Sequence, residues 1–368
     1  MLIRFWVENY RCFRGRAKLD FTDKKNYRFG KMYVRGDLLG KIVLIGNNGS
    51  GKSSFGYALC DIITTLTGLD NNVGQKDPDC FINGYGTSDR AVFHYEFAFG
   101  GSTAVYEYSR KSPSLLASEM YSVNGRTVFD YDLDDPSGNS FSLASIGAGN
   151  VSTEGLDGSE SLLRRILDRS LSRDDVTEGM RETARSSMYY MAMWKHDFHL
   201  GLTGTENDNE EYIISNGLVG DFRSFLRDVC AIEADLVSDG GRLYIVKGSK
   251  RLPFFETASR GTALICCLYC WWKRSRGRGG FVFLDDFDDL FDYRTSDSFI
   301  ERIIAGNKTQ CIFVTHNPEI IAGEDVRPDC CFLLKDGELR SLASLTDKSI
   351  RRGNNLLKML REGEFDKS

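Results

Sequence analysis

The stretch Gly46-Asn47-Asn48-Gly49-Ser50-Gly51-Lys52-Ser53 constrains the fold of this chain more than any other. A short apolar, β-branched run, KIVLI (Lys41 to Ile45), precedes it. After it comes SFGYALCDIITTL, whose apolar residues recur at helical spacing. Strand, glycine-rich loop and helix in that order make an anion cradle. The backbone N–H groups of a tight loop converge at a helix N-terminus, where the helix dipole favours negative charge. Gly46, Gly49 and Gly51 let the main chain approach where a Cβ would obstruct it. In the pattern GxxxxGKS, Lys52 reaches the β- and γ-phosphates of a nucleotide and the Ser53 hydroxyl ligates Mg²⁺. Asn47, Asn48, Ser50 and Ser54 complete the cradle. The expected fold is α/β, of the P-loop NTPase type.

A second motif supplies the other half of the chemistry. In GGFVFLDDFDDLFD (Gly279 to Asp292), Phe281 to Leu284 read as a buried strand. Asp285 and Asp286 emerge at its C-terminal end, where ligands of open α/β sheets bind. Asp285 is placed to hold Mg²⁺ through water, and Asp286 to act as general base on the attacking water. A third strand, TQCIFVTH (Thr309 to His316), ends in a histidine. A lone strand-terminal histidine says little, but as the third member of this constellation His316 would sense the γ-phosphate and join Lys52 and Asp286 as a catalytic residue.

The remaining composition mostly excludes. With 368 residues, 41% of them hydrophobic, the chain can build a large packed core. A net charge of -5 argues against a nucleic-acid-coating protein, although KRSRGR (Lys273 to Arg278) leaves a local phosphate contact open. Ten cysteines with no apolar leader and no membrane-length apolar run predict reduced thiols, a cytoplasmic location and no membrane partner. CCLYC (Cys266 to Cys270) is a single CxxC inside an apolar run, which predicts helix core and not zinc. His196 and His199 share helical spacing but lack a third ligand. The acidic VFDYDLDDPSGNS (Val128 to Ser140) lacks the glycine and glutamate of a calcium loop and reads as a turn.

On these motifs the chain resembles the ABC-type ATPases grouped with AAA domains in bacterial abortive-infection and phage-defence systems. The resemblance runs nearly end to end. It takes in the opening MLIRFWVENYRCF, the Walker A GNNGSGKSS, the antiparallel stretch from Phe93 to Asp132, ASRGT (Ala258 to Thr262), FLDDFD, FVTHN and the tail SLTDKSIRRGNNLLKMLREGEF. Related heads occur in overcoming-lysogenization-defect nucleases and in chromosome-maintenance and recombination ATPases. In such heads ATP is sandwiched between the Walker A of one subunit and the signature of the other, which implies a homodimer or higher oligomer. Ser259 and Gly261 match the signature serine and glycine, though Ser259 is also a good helix N-cap in its own right. Asp288 matches a carboxylate that lies at the dimer seam of related heads, and Arg11 matches a basic residue often near the nucleotide. Gln75 is a Q-loop candidate by position only.

Two departures stand out. Asp286 replaces the family's usual glutamate, and Asp292-Tyr293 replaces a common His-Pro. The shorter aspartate implies looser attack geometry, hence slow turnover and a long-lived ATP-bound dimer.

The expected organisation is an ABC-type head with a mixed sheet and an antiparallel β subdomain. Residues 1–150 form the first lobe and 236–368 the second. Between them, 151–235 is read as a compact helical insertion without the heptads of a long coiled coil. MYYMAMWKHDFHL (Met188 to Leu200) falls inside it as a helical-spacing core segment or a partner surface. The implied activity is Mg²⁺-dependent ATP hydrolysis. With no length left for a C-terminal nuclease, the resemblance implies a separately encoded nuclease or toxin as effector. The alternative is a DNA-binding repair or recombination ATPase, with the basic runs on phosphate.

Overall fold

The computed structural model describes residues 1–69, 78–191, 198–201, 206–275, 279–286, 295, 298–299, 309–315 and 318–366. Two seven-stranded sheets dominate them. The first is antiparallel, in the spatial order Ser140–Phe141, Arg126–Asp132, Leu115–Val123, Ser102–Ser112, Ala91–Phe99, Leu2–Glu8 and Ala17–Asp20. Its strands alternate inward and outward residues, as in Ala91–Phe99, where Ala91, Phe93, Tyr95 and Phe97 are buried. This is the antiparallel subdomain expected from the sequence.

The second sheet runs Phe198–Gly201, Met188–Met191, Phe281–Asp285, Gln310–Val314, Lys41–Ile45, Cys331–Lys335, Glu338–Ser341. Its five inner strands are parallel and its two edge strands antiparallel. Three of the five, Lys41–Ile45, Phe281–Asp285 and Gln310–Val314, are buried at every position. Parallel strands covered on both faces read as continuous apolar runs for that reason. Alternate residues feed different cores. Phe281 and Phe283 join the core shared with the antiparallel sheet, whereas Val282 and Leu284 join a second core with Phe222, Leu226 and the helix Arg260–Ser275.

The helix Lys52–Thr67 lies in the first core, between the two sheets. Phe55 meets Phe5 edge to face at 5.3 Å, and Tyr95 Oη donates to the Ala58 carbonyl at 2.8 Å. A buried polar knot fixes its register. Asp61, 2% exposed, accepts from Tyr108 Oη at 2.7 Å and from Arg110 Nε at 3.1 Å, and Arg110 also donates to Thr65 Oγ1 at 2.7 Å. On its other side the helix touches the sheet through Gly56, where a Cβ would stand 2.3 Å from Phe283 Cε1.

The segment 151–235 differs from the expected helical insertion. It contains the helices Leu162–Arg169, Asp175–Ser186, Glu206–Ser215 and Val219–Cys230. Met188–Met191 and Phe198–Gly201, however, are strands that pair with each other, and the former adds to the parallel sheet beside Phe281–Asp285. Its residues Met188, Tyr189 and Tyr190 are buried on both faces, Tyr189 in one core and Met188 and Tyr190 in the other. A fully buried strand carries no alternation, so a short aromatic run is ambiguous between helix and strand. CCLYC does lie in a helix core, with Cys266 and Cys270 buried, and no metal-binding cluster occurs among the described residues. No described helix is long and apolar enough to cross a membrane.

Replacing Gly56 with alanine forces the loop-bearing helix off Phe283. Overpacking of this kind costs about 1–3 kcal/mol, and a lowered midpoint in chemical denaturation of Gly56→Ala is the expected result.

Candidate functional site

The strand Lys41–Ile45 lies between Gln310–Val314 and Cys331–Lys335, both from much later in the chain, and the loop 46–51 leaves its C-terminal end. Gly49 and Gly51 adopt φ of 78° and 105°, a region that side chains disfavour. Gly51 has a second reason to lack a side chain, since a Cβ would stand 2.6 Å from Cys12 Sγ and 3.1 Å from Phe13 Cζ. At Gly46 a Cβ would meet the Leu334 carbonyl oxygen at 2.7 Å and Ser50 Oγ at 2.8 Å. The loop is thus pressed between the turn after the first strand and the strand Cys331–Lys335.

Lys52, 5% exposed, turns its ammonium back into the loop, donating to the Gly46 carbonyl at 2.9 Å and the Asn47 carbonyl at 3.1 Å. Burial pushes its pKa down, opposed by the charges of Asp286 and Asp285. The lysine and the acidic strand end, far apart in sequence, therefore share one electrostatic neighbourhood. Ser53 and Ser54 open the helix half-exposed. A cavity of about 570 Å³ lies against Gly46 to Ser50, bounded by Thr315, Leu333 to Asp336, Leu360 and Asp366.

Asp285 is fully buried, and Tyr189 Oη donates to its Oδ2 at 2.9 Å. Asp286 is partly exposed and holds a left-handed backbone, φ 48°. Among residues with a Cβ, aspartate and asparagine tolerate that conformation best. Hydroxyl and carboxylate oxygens are the donor set that Mg²⁺ takes, so Ser53 and Asp285 fit the ion.

Ser259 caps the helix Arg260–Ser275, its Oγ accepting from the Thr262 N–H at 3.2 Å. It is exposed, Gly261 partly so, and neither lines the cavity beside the chain's own loop. The capping bond and a role toward a nucleotide are compatible, because a hydroxyl that accepts from the backbone keeps its own proton to donate. Arg11, at φ 50°, sets its guanidinium 4.9 Å from the Tyr57 ring on the loop-bearing helix. Its neighbour Cys12, and not Arg11, is the residue that closes on Gly51. His316, Asp288, Gln75, Asp292, Tyr293 and His196 lie outside the described residues, although Thr315, the residue before His316, lines the cavity.

Sequence reasoning missed Tyr189 and Tyr57. The usable signal was the pair Tyr189-Tyr190, which is strand-forming and precedes the acidic strand in the chain as its neighbour in the sheet.

The family description "AAA domain, putative AbiEii toxin, Type IV TA system" matches residues 41–322. Among solved structures, the chain is similar to the SMC head domain from Thermotoga maritima, with 15% identity and a TM-score of 0.43, covering 92% of this chain and 97% of that one. A second similar structure is an SmcHead bound to the C-winged helix domain of ScpA, at 12% identity and TM-score 0.47, covering 92% and 96%. A comparison with curated proteins gave no match. The matched span takes in the phosphate loop, the acidic strand and the signature segment, and the chain belongs to this family of AAA-type P-loop ATPase domains.

Proposed function

We propose that this chain hydrolyses ATP with Mg²⁺ at a site completed by a second copy. We further propose that it serves in an anti-phage defence system as the nucleotide-driven element controlling a separately encoded nuclease or toxin. The observation that carries the composite site is the placement of Ser259 and Gly261. They stand accessible at the start of a helix and away from the cavity of their own loop, so their donors and the helix dipole are available to a nucleotide held elsewhere. The defence role rests on the family description, which names a toxin and a toxin–antitoxin system, and on the resemblance set out above.

In this reading the loop 46–51 receives the phosphates on its N–H groups, and the Lys52 ammonium exchanges two backbone carbonyls for the β- and γ-phosphate oxygens. Ser53 and Asp285 would hold Mg²⁺, which would supply charge neutralisation when bound. Asp286 takes the proton of the attacking water, and His316 senses the γ-phosphate. Turnover is slow because the aspartate carboxylate is one methylene short of a glutamate.

Three experiments test it. Lys52→Ala removes the ammonium inside the loop, and fluorescent-nucleotide titration should show affinity down at least about tenfold, as expected for loss of a charge-assisted contact, with protection from phage lost in cells. In solution, mass should double with ATP–Mg²⁺ but not with ADP, and Ser259→Arg should abolish the doubling while leaving nucleotide binding to the monomer; a mass indifferent to nucleotide would remove the composite site. Asp286→Asn preserves the left-handed backbone, so it should retain nucleotide binding while single-turnover phosphate release falls by about 10²–10⁴.

A further inference from the structure

Asp285 is held from behind. Tyr189 and Phe283 are direct partners across the parallel pair, and Met191 is in register with Asp285. Side chains two apart on a strand share a face, so the Tyr189 ring lies along the Phe283 ring, at 5.7 Å and 13°, and its hydroxyl reaches forward to Asp285 Oδ2 at 2.9 Å. Tyr189 is 1% exposed. Its other flank is covered by Tyr57, whose ring centroid is 4.9 Å away, and Tyr57 Oη donates to Met191 Sδ at 3.6 Å. Tyr57 in turn lies under the Arg11 guanidinium.

Tyr57 stands four residues after Ser53 on the helix Lys52–Thr67, the spacing that stacks side chains on one helix face. The two groups assigned to Mg²⁺ above therefore each have a tyrosine behind them, and the two tyrosines touch. The Tyr189 hydroxyl is the donor in its bond to Asp285, since an ionised carboxylate only accepts. A buried carboxylate with one oxygen committed to a charge-assisted hydrogen bond has a fixed rotamer. Partners of this kind orient a metal-binding carboxylate and strongly affect metal affinity.

We propose that Tyr189 is a positioning residue for Asp285, fixing the orientation in which that carboxylate meets the hydration shell of Mg²⁺, and that the contact of Tyr57 with Tyr189 couples this orientation to the helix carrying Ser53. The proposal rests on the assignment of Asp285 to the metal made under Proposed function. It concerns binding geometry, and its effect is on the metal requirement and not on nucleotide recognition by the loop.

The test is a Mg²⁺ titration of fluorescent-ATP binding to the full chain, with the same nucleotide in EDTA as reference and thermal melting as a check on folding. Tyr189→Phe keeps the ring contacts and removes the hydroxyl. It should raise the half-saturating Mg²⁺ about tenfold, the lower end of what loss of an outer partner costs, with binding in EDTA unchanged. Combined with Asp285→Asn it should add nothing to the effect of Asp285→Asn alone. Tyr57→Phe, which keeps the Tyr189–Asp285 bond, should raise the midpoint by a smaller factor and serves as the second variant if Tyr189→Phe melts early. A midpoint unmoved in Tyr189→Phe, with Asp285→Asn shifting it, overturns the positioning role and leaves the ATPase reading standing. A midpoint unmoved in Asp285→Asn as well removes Asp285 from the metal, and both fall together.

Discussion

Asp61 is the charge that sets the helix Lys52–Thr67 against the antiparallel sheet. A carboxylate in the middle of a buried helix would be costly if left alone, and breaking such a pair from one side is commonly worth several kcal/mol. Here Tyr108 and Arg110, both from the strand Ser102–Ser112, converge on the same oxygen, and Arg110 is itself buried. The arrangement tolerates one register of helix against sheet. The apolar contact of Phe55 with Phe5 would permit small slides, whereas the carboxylate and the guanidinium would not. Because the phosphate loop begins the same helix, its position over the parallel strands is inherited from this knot. Glu119 repeats the device nearby, accepting from Tyr106 Oη at 2.6 Å, Ser161 Oγ at 2.7 Å and the Leu162 N–H at 2.6 Å, which anchors the helix Leu162–Arg169 to the antiparallel sheet.

Much of this was legible in the chain itself, for reasons that differ from element to element. The loop-bearing strand and helix announce themselves because glycines at fixed spacing have few other uses. The strand Phe281–Asp285 is recognisable because an apolar run ends in paired carboxylates. The antiparallel strands show period-two alternation, as Ala91–Phe99 does. Met188–Met191 was illegible because both its faces are buried, which erases the alternation that distinguishes a strand from a helix. Tyr189 was hidden for the same reason, since its partner Asp285 lies 96 residues further along the chain and no local pattern joins them. The backbone twist at Asp286 was also unreadable, being imposed by the end of the strand and not by the residue.

The electrostatics of the site follow from burial. Lys52 loses hydration on entering the loop and regains part of it from two carbonyls and from the field of Asp285 and Asp286. An ammonium balanced in that way is poised to exchange partners at small net cost. Ser259 occupies the opposite regime, with an exposed hydroxyl that meets both the N–H and the hydroxyl of Thr262 on its own helix.

Gly56 makes the helix and the acidic strand into a single lever. With no side chain between the helix backbone and the Phe283 ring, there is no cushion to absorb displacement, so a tilt of the helix is passed directly to the strand that ends in Asp285. On the opposite face of the same strand, Val282 and Leu284 enter the second core, to which the helix that begins beside Ser259 also contributes. The strand that ends in the carboxylates is thus met on one face by the backbone of the loop-bearing helix and embedded on the other in the core that also holds the helix after Ser259.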